Sequence, residues 1–480
     1  MNDRKGFGSN FGFLMAAVGS AVGLGNIWGF PNKMGANGGF PFLILYLALA
    51  LCCGVIIMLG ELALGRKTGH GAVGAYQSIS KRFKWLGWLG IAAAALIFSF
   101  YSALGGYCLR YVVVNFGNLI GAEFGTNGVG GADVFQGLLS QPDVSIAFAL
   151  AFMLITMLVV MSGVGGGIER VCSVGMPALF FILIICIIRS CTLPGAADGL
   201  KYMFVPGWAV ANGIIDEAPG FWRVLTAAGG QMFFSLSLGA GVMITYGSDL
   251  DKKQDLGKSA MIIVGMDTVV ALMAGLCVIP GRFALDPSGD LGGPELLFIT
   301  MQNVFDKMGP AGPVFGILFY LLVFFAAISS SISMLEVIVA HFCDKAREKG
   351  KGDRRKLYSA IVVVICAALC ALVCADGMGS NHISPAELLG LAGAKLPGWS
   401  TSWLGLFDSV AEGLLMPLGA LLMCLMISWE LKPDALRQEI LLNGENRPWV
   451  YDFFRLCVKY ITPLCMLMIL YGQISDFFIV

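Results

Sequence analysis

Long apolar stretches, separated by short polar segments, recur along almost the whole chain. Eleven of them approach or exceed the roughly 20 mostly apolar residues that a helix needs to cross a bilayer. Their approximate spans are residues 8–31, 39–65, 86–118, 145–161, 171–189, 223–247, 259–281, 311–342, 357–375, 405–429 and 453–477. The pattern therefore predicts an all-α polytopic membrane protein with 11 transmembrane helices.

Positive charge is unevenly divided between the segments that join these spans. The N-terminus and the segments after even-numbered spans contain most of the Lys and Arg residues, including a cluster at 345–356. Short loops rich in Lys and Arg remain on the cytoplasmic side of the membrane. We therefore expect the N-terminus to be cytoplasmic and the C-terminus extracytoplasmic.

Composition narrows the class of protein further. Of the 480 residues, 57% are hydrophobic and 13% are charged, and 31 Lys and Arg balance 31 Asp and Glu. A soluble protein has about 25% charged residues, and a neutral chain has no overall field that attracts nucleic acid. The composition argues against a soluble enzyme, a nucleic-acid-binding protein and a disordered scaffold. The 14 cysteines lie mostly in apolar runs, which is typical of small core residues.

Two of the spans carry a Gly-x-Gly motif near the middle. The glycines are Gly23 and Gly25 in the first span and Gly239 and Gly241 in the sixth. Because the two spans are five apart, we expect two inverted repeats of five helices, each beginning with a discontinuous helix. The repeats would cover about 8–190 and 223–429, with an extra helix at about 453–477.

A helix that breaks inside a bilayer leaves backbone N–H and C=O groups that lipid cannot satisfy. Such breaks persist where a ligand or an ion completes them. The N-terminus of a half-helix favours a carboxylate, and exposed carbonyl oxygens favour Na+. The two motifs therefore indicate a small zwitterion or anion bound beside a monovalent cation.

Polar side chains inside the spans point to the same chemistry. Asp267 lies inside the seventh span, and Glu61, Asp408 and Glu412 lie in others. A carboxylate in a membrane is costly unless it is paired or hydrated. The eighth span contains serines 329–331 and 333. Hydroxyl oxygens are suitable ligands for a hard cation, although such serines often bond only to the preceding helical turn.

Several long motifs resemble those of the neurotransmitter:sodium symporter family. They are GFLMAAVGSAVGLGNIWGFPNKMGANGGFPFLILY, GELALGR, RSCTLPGAADGLKYMFVPGW, GQMFFSLSLGAGVMITYGSDL and FFAAISSSISMLE. The resemblance extends nearly from end to end, and the eleven-span ending is similar to that of the shorter, leucine-transporter-like bacterial members. It implies that residues 1–480 form a single transporter domain in a bacterial inner membrane. No organic cofactor is expected.

The resemblance also implies two sodium sites. The first would use the Ala21 carbonyl, the side chains of Asn26, Ser235 and Asp267, and the carboxylate of the substrate. The second would use the carbonyls of Gly19, Val22 and Ala326 and the hydroxyls of Ser329 and Ser330. Because the substrate is a ligand of the first ion, each would raise the affinity for the other.

By the same resemblance, the substrate is a neutral amino acid. Its carboxylate would meet the amides around Gly23, Leu24 and Gly25 and the Tyr101 hydroxyl. Its ammonium would meet the carbonyls of Ala21, Phe234 and Ser235 and the Ser237 hydroxyl. Its side chain would lie in an apolar pocket formed by Ile97, Tyr101, Phe234, Ala240, Ser330, Ser333 and Met334.

Two departures within this pocket bear on the substrate. Monoamine-transporting relatives carry Asp where this chain has Gly23, so an amino acid that supplies its own carboxylate is favoured. The leucine-transporting relative has Phe where this chain has Ala240, so a larger side chain is expected to fit. Selection by one methylene is worth only about 1–3 kcal/mol, which favours a broad range of hydrophobic or aromatic substrates.

Asp267 also bears on the anion requirement. Chloride-dependent relatives bind chloride near the positions of Tyr46, Gln231, Ser235, Asp267 and Ala271, with neutral side chains at the last two. Asp267 supplies a fixed negative charge in that place. We therefore expect transport that does not need chloride.

The gates of the family are only partly kept. Arg4 and Asp344 match the cytoplasmic pair, and Asp408 matches the acidic residue of the outer gate. Gly29 stands where the family usually has Arg. Outer closure would then depend on Tyr101, Phe234 and packing, or on another cation such as Lys33. Glu61 would hold the unwound backbone of the broken helices.

Other functions are weighed against this one. A membrane enzyme is disfavoured because His70, His341 and His382 are scattered and no nucleophile–base motif is present. A sensor that binds amino acids without transporting them stays open, because of the change at Gly29. A carboxylated osmolyte or ω-amino acid is the alternative substrate class, since Gly23 would accept either.

Overall fold

The computed structural model describes residues 7–126, 128–285, 296–352, 354–391, 397–431, 433–441 and 448–478. Within these ranges the chain is helical and contains no β-strand, as expected for an all-α membrane protein. The principal helices are α1 (Asn10–Ala21), α2 (Gly25–Ala36), α3 (Phe40–Thr68), α4 (Lys81–Ile120), α5 (Pro142–Met161), α6 (Val164–Cys191), α7 (Phe221–Leu236), α8 (Val242–Gly247), α9 (Leu256–Leu285), α10 (Gly309–Glu348), α11 (Arg355–Gly379), α12 (Trp403–Leu431) and α13 (Pro448–Ser475).

Shorter helices cover parts of the connecting segments. They are Ala72–Ile79, Gly131–Leu139, Ala196–Phe204, Trp208–Ala211, Met301–Lys307, Pro385–Leu388 and Arg437–Ile440. Several of them pack against the ends of the long helices, as Ala196–Phe204 does against α9. The connections therefore cover the ends of the bundle instead of forming a second domain in the described part of the chain.

By length and composition, nine of the described helices are suited to cross a membrane, and the bent pair of α1 and α2 brings the number to ten. Helices α7 and α8 are each too short to be counted in this way. The full number of eleven spans stays a prediction. Some helices exceed the spans predicted from hydropathy, since α4 has 40 residues and so extends about 60 Å. An apolar window detects only the part of a helix that lies in lipid.

The first break separates α1 from α2. Helix α1 ends at Ala21, and Val22 is extended, with φ −74° and ψ 101°. Helix α2 then begins with a wider π-helical turn, Gly25–Gly29, and its axis is bent by 45° from that of α1. The Gly-x-Gly motif of the first span therefore lies at the break itself.

The second break separates α7 from α8 and depends on a left-handed backbone. Ser237, Gly239 and Gly241 have φ of 53°, 82° and 75°. Glycine adopts this region without penalty, whereas other residues are strained there. At Gly239 there is also no space, because a Cβ would lie 2.1 Å from the Met416 carbonyl oxygen of α12.

The distribution of polar residues is the inverse of that in a soluble protein. Large apolar side chains such as Val174, Phe181, Val364 and Tyr471 are exposed on the outer helices. Asn26, Asp267 and other polar side chains are fully buried in the centre. The bundle thus presents an apolar surface to lipid and keeps its polar groups around the two breaks.

A substitution at Gly239 tests this account of the second break. We expect Gly239→Ala to lower the unfolding temperature of the detergent-solubilised protein by several degrees, because left-handed strain alone costs about 1–3 kcal/mol and the Met416 carbonyl must also move. Gly265→Ala in α9 is the matched control, since its Cβ would meet nothing within 4 Å. Equal unfolding temperatures for the two variants would contradict this account.

Candidate functional site

The two breaks face each other across a narrow cavity in the centre of the bundle. Helices α4 and α10 complete its walls. The lining residues are Ser20, Ala21, Gly23, Gly25, Ile97, Phe98, Tyr101, Phe234, Ser237, Ser330, Ser331 and Met334. The lining combines apolar side chains with hydroxyls and backbone polar groups and includes no charged side chain.

One group of oxygen atoms lies between α1 and α10. The Ser330 hydroxyl is 3.3 Å from the Gly19 carbonyl oxygen and 3.4 Å from that of Val22. The Ser329 hydroxyl is 3.5 Å from the Val22 carbonyl oxygen and 3.0 Å from that of Ala326. All five groups predicted for the second sodium site are therefore close together. They are neutral oxygen donors, the type that a hard cation prefers.

A second group surrounds Asp267, which is fully buried on α9. Its carboxylate accepts hydrogen bonds from the Asn26 amide at 2.8 Å, the Ser235 hydroxyl at 3.0 Å and the Tyr46 hydroxyl at 3.2 Å. These partners are neutral donors. A buried carboxylate is stabilised most effectively by a cation, so the charge of Asp267 is available to one bound here.

The geometry brings three members of the predicted first sodium site together: Asn26, Ser235 and Asp267. Ala21 lines the neighbouring cavity. The Asn26 side-chain oxygen accepts a hydrogen bond from the Gly23 amide at 3.0 Å. The Asn26 side chain thus connects the first break to α9.

Tyr101 and Gly23 form the closest contact between α4 and the first break. The Leu24 amide donates to the Tyr101 hydroxyl at 2.7 Å. A Cβ at Gly23 would lie 2.3 Å from the Ser330 hydroxyl oxygen and 2.5 Å from that of Tyr101. Only glycine therefore allows the backbone to approach these two hydroxyls.

Glu61 supports the second break from α3. It is 1% exposed, and its carboxylate accepts a hydrogen bond from the Gly239 amide at 2.7 Å. Gln231 has a similar position beside the first break, where its side-chain amide donates to the Gly25 carbonyl at 2.6 Å. Glu61 thus satisfies a backbone amide that the second break releases, whereas Gln231 adds a bond to a carbonyl that the Phe30 amide already contacts within α2.

Sequence reasoning missed Ser20 and Phe98, which also line the cavity. Ser20 connects both breaks to α10, because its hydroxyl donates to Ser333 at 2.8 Å and its carbonyl accepts from Ser237 at 3.1 Å. A signal was available for Phe98, since it lies three residues before Tyr101 and shares its helix face. Ser20 offered no comparable signal, because its partners are remote in sequence.

Two of the predicted pocket residues, Ser333 and Ala240, are not among those that line the cavity. Ala240 is fully buried. Its carbonyl oxygen faces α4, where a Cβ at Gly90 would lie 2.9 Å away. Its contribution to the substrate pocket stays a prediction.

The predicted gate residues are only partly described. Arg4 lies outside the described residues, and Asp344 accepts a hydrogen bond from the Gly71 amide at 3.3 Å. The rings of Tyr101 and Phe234 are 6.4 Å apart between centroids. On the outer side, the predicted acid Asp408 has Glu412 and Lys33 as charged neighbours.

The architecture is shared with a solved transporter structure. The crystal structure of MhsT in complex with L-phenylalanine superposes on this chain with a TM-score of 0.83 and 34% sequence identity, covering 98% of this chain and 100% of MhsT. The fold and its central site define a multi-pass membrane transporter, not an enzyme.

Sequence comparison identifies the family. Residues 4–127 and 132–478 match the Sodium:neurotransmitter symporter family. The uncharacterized sodium-dependent transporter YhdH of Bacillus subtilis is 36% identical over 97% of each chain. The uncharacterized sodium-dependent transporter MJ1319 of Methanocaldococcus jannaschii is 29% identical over 91% of this chain and 84% of its own length. The chain belongs to the sodium:neurotransmitter symporter family and is a sodium-dependent symporter, which confirms the family inferred from the motifs.

The cluster around Ser329 and Ser330 predicts that Na+ stabilises the folded protein. We expect NaCl, compared with choline chloride, to raise the unfolding temperature of the wild-type protein. Removing one of the five predicted ligands in Ser329→Ala should increase the Na+ concentration for half of this effect by about tenfold, or about 1.4 kcal/mol. Ser162→Ala is the control, because Ser162 also bonds a carbonyl of the preceding turn, at 3.0 Å, but is exposed. An unchanged sodium dependence in Ser329→Ala would remove this residue from the site.

Proposed function

We propose that the protein imports neutral, hydrophobic or aromatic L-amino acids together with Na+ by alternating access, and that it does so without chloride. The observation that carries the proposal is the central cavity, where polar backbone groups of two broken helices face an apolar lining without charge. Such a cavity suits a ligand with a charged head and an apolar side chain.

The head group of an amino acid matches the ends of the broken helices. Its carboxylate would approach the start of α2 around Gly25, where the amides of the first turn and the helix dipole favour negative charge, and would meet the Tyr101 hydroxyl. Its ammonium would meet the carbonyls of Ala21 and Phe234 and the Ser237 hydroxyl. Tyr101 now accepts from the Leu24 amide, so its own proton is available to the carboxylate.

The side chain of the substrate would lie against Ile97, Phe98, Phe234 and Met334. A charged substrate side chain would lose its hydration there without gaining a partner. The likeness to MhsT, whose structure contains L-phenylalanine, supports an aromatic or long aliphatic side chain. Discrimination between such side chains rests on packing alone, so a broad substrate range is part of the proposal.

Two sodium ions would couple the gradient to import. One would bind at the neutral oxygens of Ser329 and Ser330 with the carbonyls of α1 and α10. The other would bind at Asn26 and Asp267 and share the substrate carboxylate as a ligand. Shared ligation makes the two affinities rise together, so substrate binds best where Na+ is abundant.

The predicted orientation completes the proposal. With Lys and Arg concentrated in alternate segments, the N-terminus would face the cytoplasm of a bacterial cell and the C-terminus would face outward. Entry from the outside then uses the side on which α2, α7 and the start of α12 lie.

Uptake into liposomes tests the proposed function. Purified protein would be reconstituted and supplied with labelled leucine or tryptophan under an inward gradient of Na+ or of K+, with chloride or gluconate outside. We expect uptake only with Na+, equal in both anions, and reduced by other large neutral amino acids. Uptake of betaine or γ-aminobutyrate instead would support the osmolyte or ω-amino acid alternative. Sodium-dependent binding without uptake would support a sensor.

Asp267 is the residue that makes chloride unnecessary in this proposal. We expect Asp267→Asn to remove at least about nine-tenths of uptake in gluconate, because the charge that balances the sodium ions is lost. Chloride should restore part of that uptake. Asp133→Asn, on the short helix Gly131–Leu139 outside the site, is the control. Full, chloride-independent uptake by Asp267→Asn would refute the assigned role.

A further inference from the structure

Position 29 on α2 has no side chain of its own, and Gln231 of α7 lies against it. A Cβ at Gly29 would lie 2.9 Å from the side-chain oxygen of Gln231. Gln231 is fully buried and is held by its bond to the Gly25 carbonyl. Because residue 29 is Gly, the cation on this part of α2 comes from another position.

Lys33 lies one helical turn further along α2, on the same face as Gly29. It forms an ion pair with Glu412 of α12. The Lys33 side chain is 25% exposed and that of Glu412 is 10% exposed. Partial burial reduces the screening that makes most surface ion pairs weak, so this pair holds the outer ends of α2 and α12 together effectively.

The acidic side of the pair contains two carboxylates. Asp408 lies within electrostatic range of both Glu412 and Lys33. A π-helical segment, Ser409–Leu415, begins directly after Asp408 and includes Glu412. Such wider turns change the direction of side chains and are frequent at functional sites. Lys33 thus lies near two acidic residues. It pairs with Glu412, which is one helical turn further along α12 than Asp408.

Helices α7 and α13 border the same ion pair. A Cβ at Gly230 of α7 would lie 3.1 Å from Glu412 Oε1, 3.7 Å from Lys33 Nζ and 2.6 Å from Gln473 Nε2 of α13. Gly230 is one turn before Phe234, whose ring lies beside Tyr101. The ion pair therefore connects α2 to α12 and lies beside α7, the helix whose Phe234 lines the cavity.

We infer that Lys33 and Glu412 form the ion pair of the outer gate, made when the central site is covered and broken when substrate enters. This inference rests on the proposed import function. It assigns the gate to residues one turn beyond Gly29 and one turn beyond Asp408.

Charge removal and charge exchange test the inference. Lys33→Gln and Glu412→Gln should each reduce Na+-driven uptake of labelled leucine by at least about tenfold, and the double variant Lys33→Glu with Glu412→Lys should recover most of it. Lys33→Arg should also retain uptake. Lys201→Gln is the control, because its ion pair with Asp198, at 3.1 Å, is exposed on both sides. Failure of the double variant to recover, or normal uptake by both Gln variants, would overturn the inference.

A second readout needs no substrate and so separates the gate from the proposed function. Hydrogen exchange would be measured in the Na+-loaded protein in detergent. Residues 30–36 and 403–408 should exchange faster in both Gln variants than in the wild type and return to the wild-type rate in the double variant. If the wild-type protein takes up no amino acid, the proposed function fails, and exchange alone decides on the gate. Unchanged exchange in the Gln variants would overturn the gate.

Discussion

The structure depends on one constraint, which is that backbone polar groups released inside a bilayer must find partners within the protein. Two helices break at the centre of the bundle, and lipid offers no hydrogen bonds there. Side chains satisfy part of this need: Tyr101 accepts from the Leu24 amide and Glu61 accepts from the Gly239 amide. The carbonyls and amides that remain are the groups with which an ion or a zwitterion would interact. The backbone groups at the two breaks thus affect both ligand binding and the stability of the fold.

The two groups of oxygen ligands differ in charge. The cluster around Ser329 consists of neutral hydroxyls and carbonyls between α1 and α10, so its affinity for a cation depends on how closely these helices approach. The cluster around Asp267 contains a full negative charge in a buried place. A cation bound there would stabilise the protein at any spacing of the helices, because an uncompensated carboxylate is costly to bury. If both clusters bind sodium as proposed, one set of ligands is sensitive to shape and the other to charge.

The region around Gly29 contains a cation supplied from a neighbouring position. Gln231 lies against Gly29, and Lys33 is one turn further along α2. Its ion-pair partner is Glu412, with Asp408 as a charged neighbour. A long flexible ammonium can be placed from several backbone positions, so Lys33 can supply a positive charge near Gly29.

The all-helical membrane class, the symporter family and the positions of both breaks follow from the sequence by itself, because hydropathy, the Gly-x-Gly motifs and the long family motifs are local properties of the chain. The tertiary structure decided the remaining features. It separated Ala240 from the cavity lining, brought Ser20 into it and paired Lys33 with Glu412 beside Asp408. These outcomes depend on which side chains face each other across helices far apart in sequence. Helix lengths beyond the apolar spans, as in α4, were likewise decided by packing outside the lipid, to which hydropathy is insensitive.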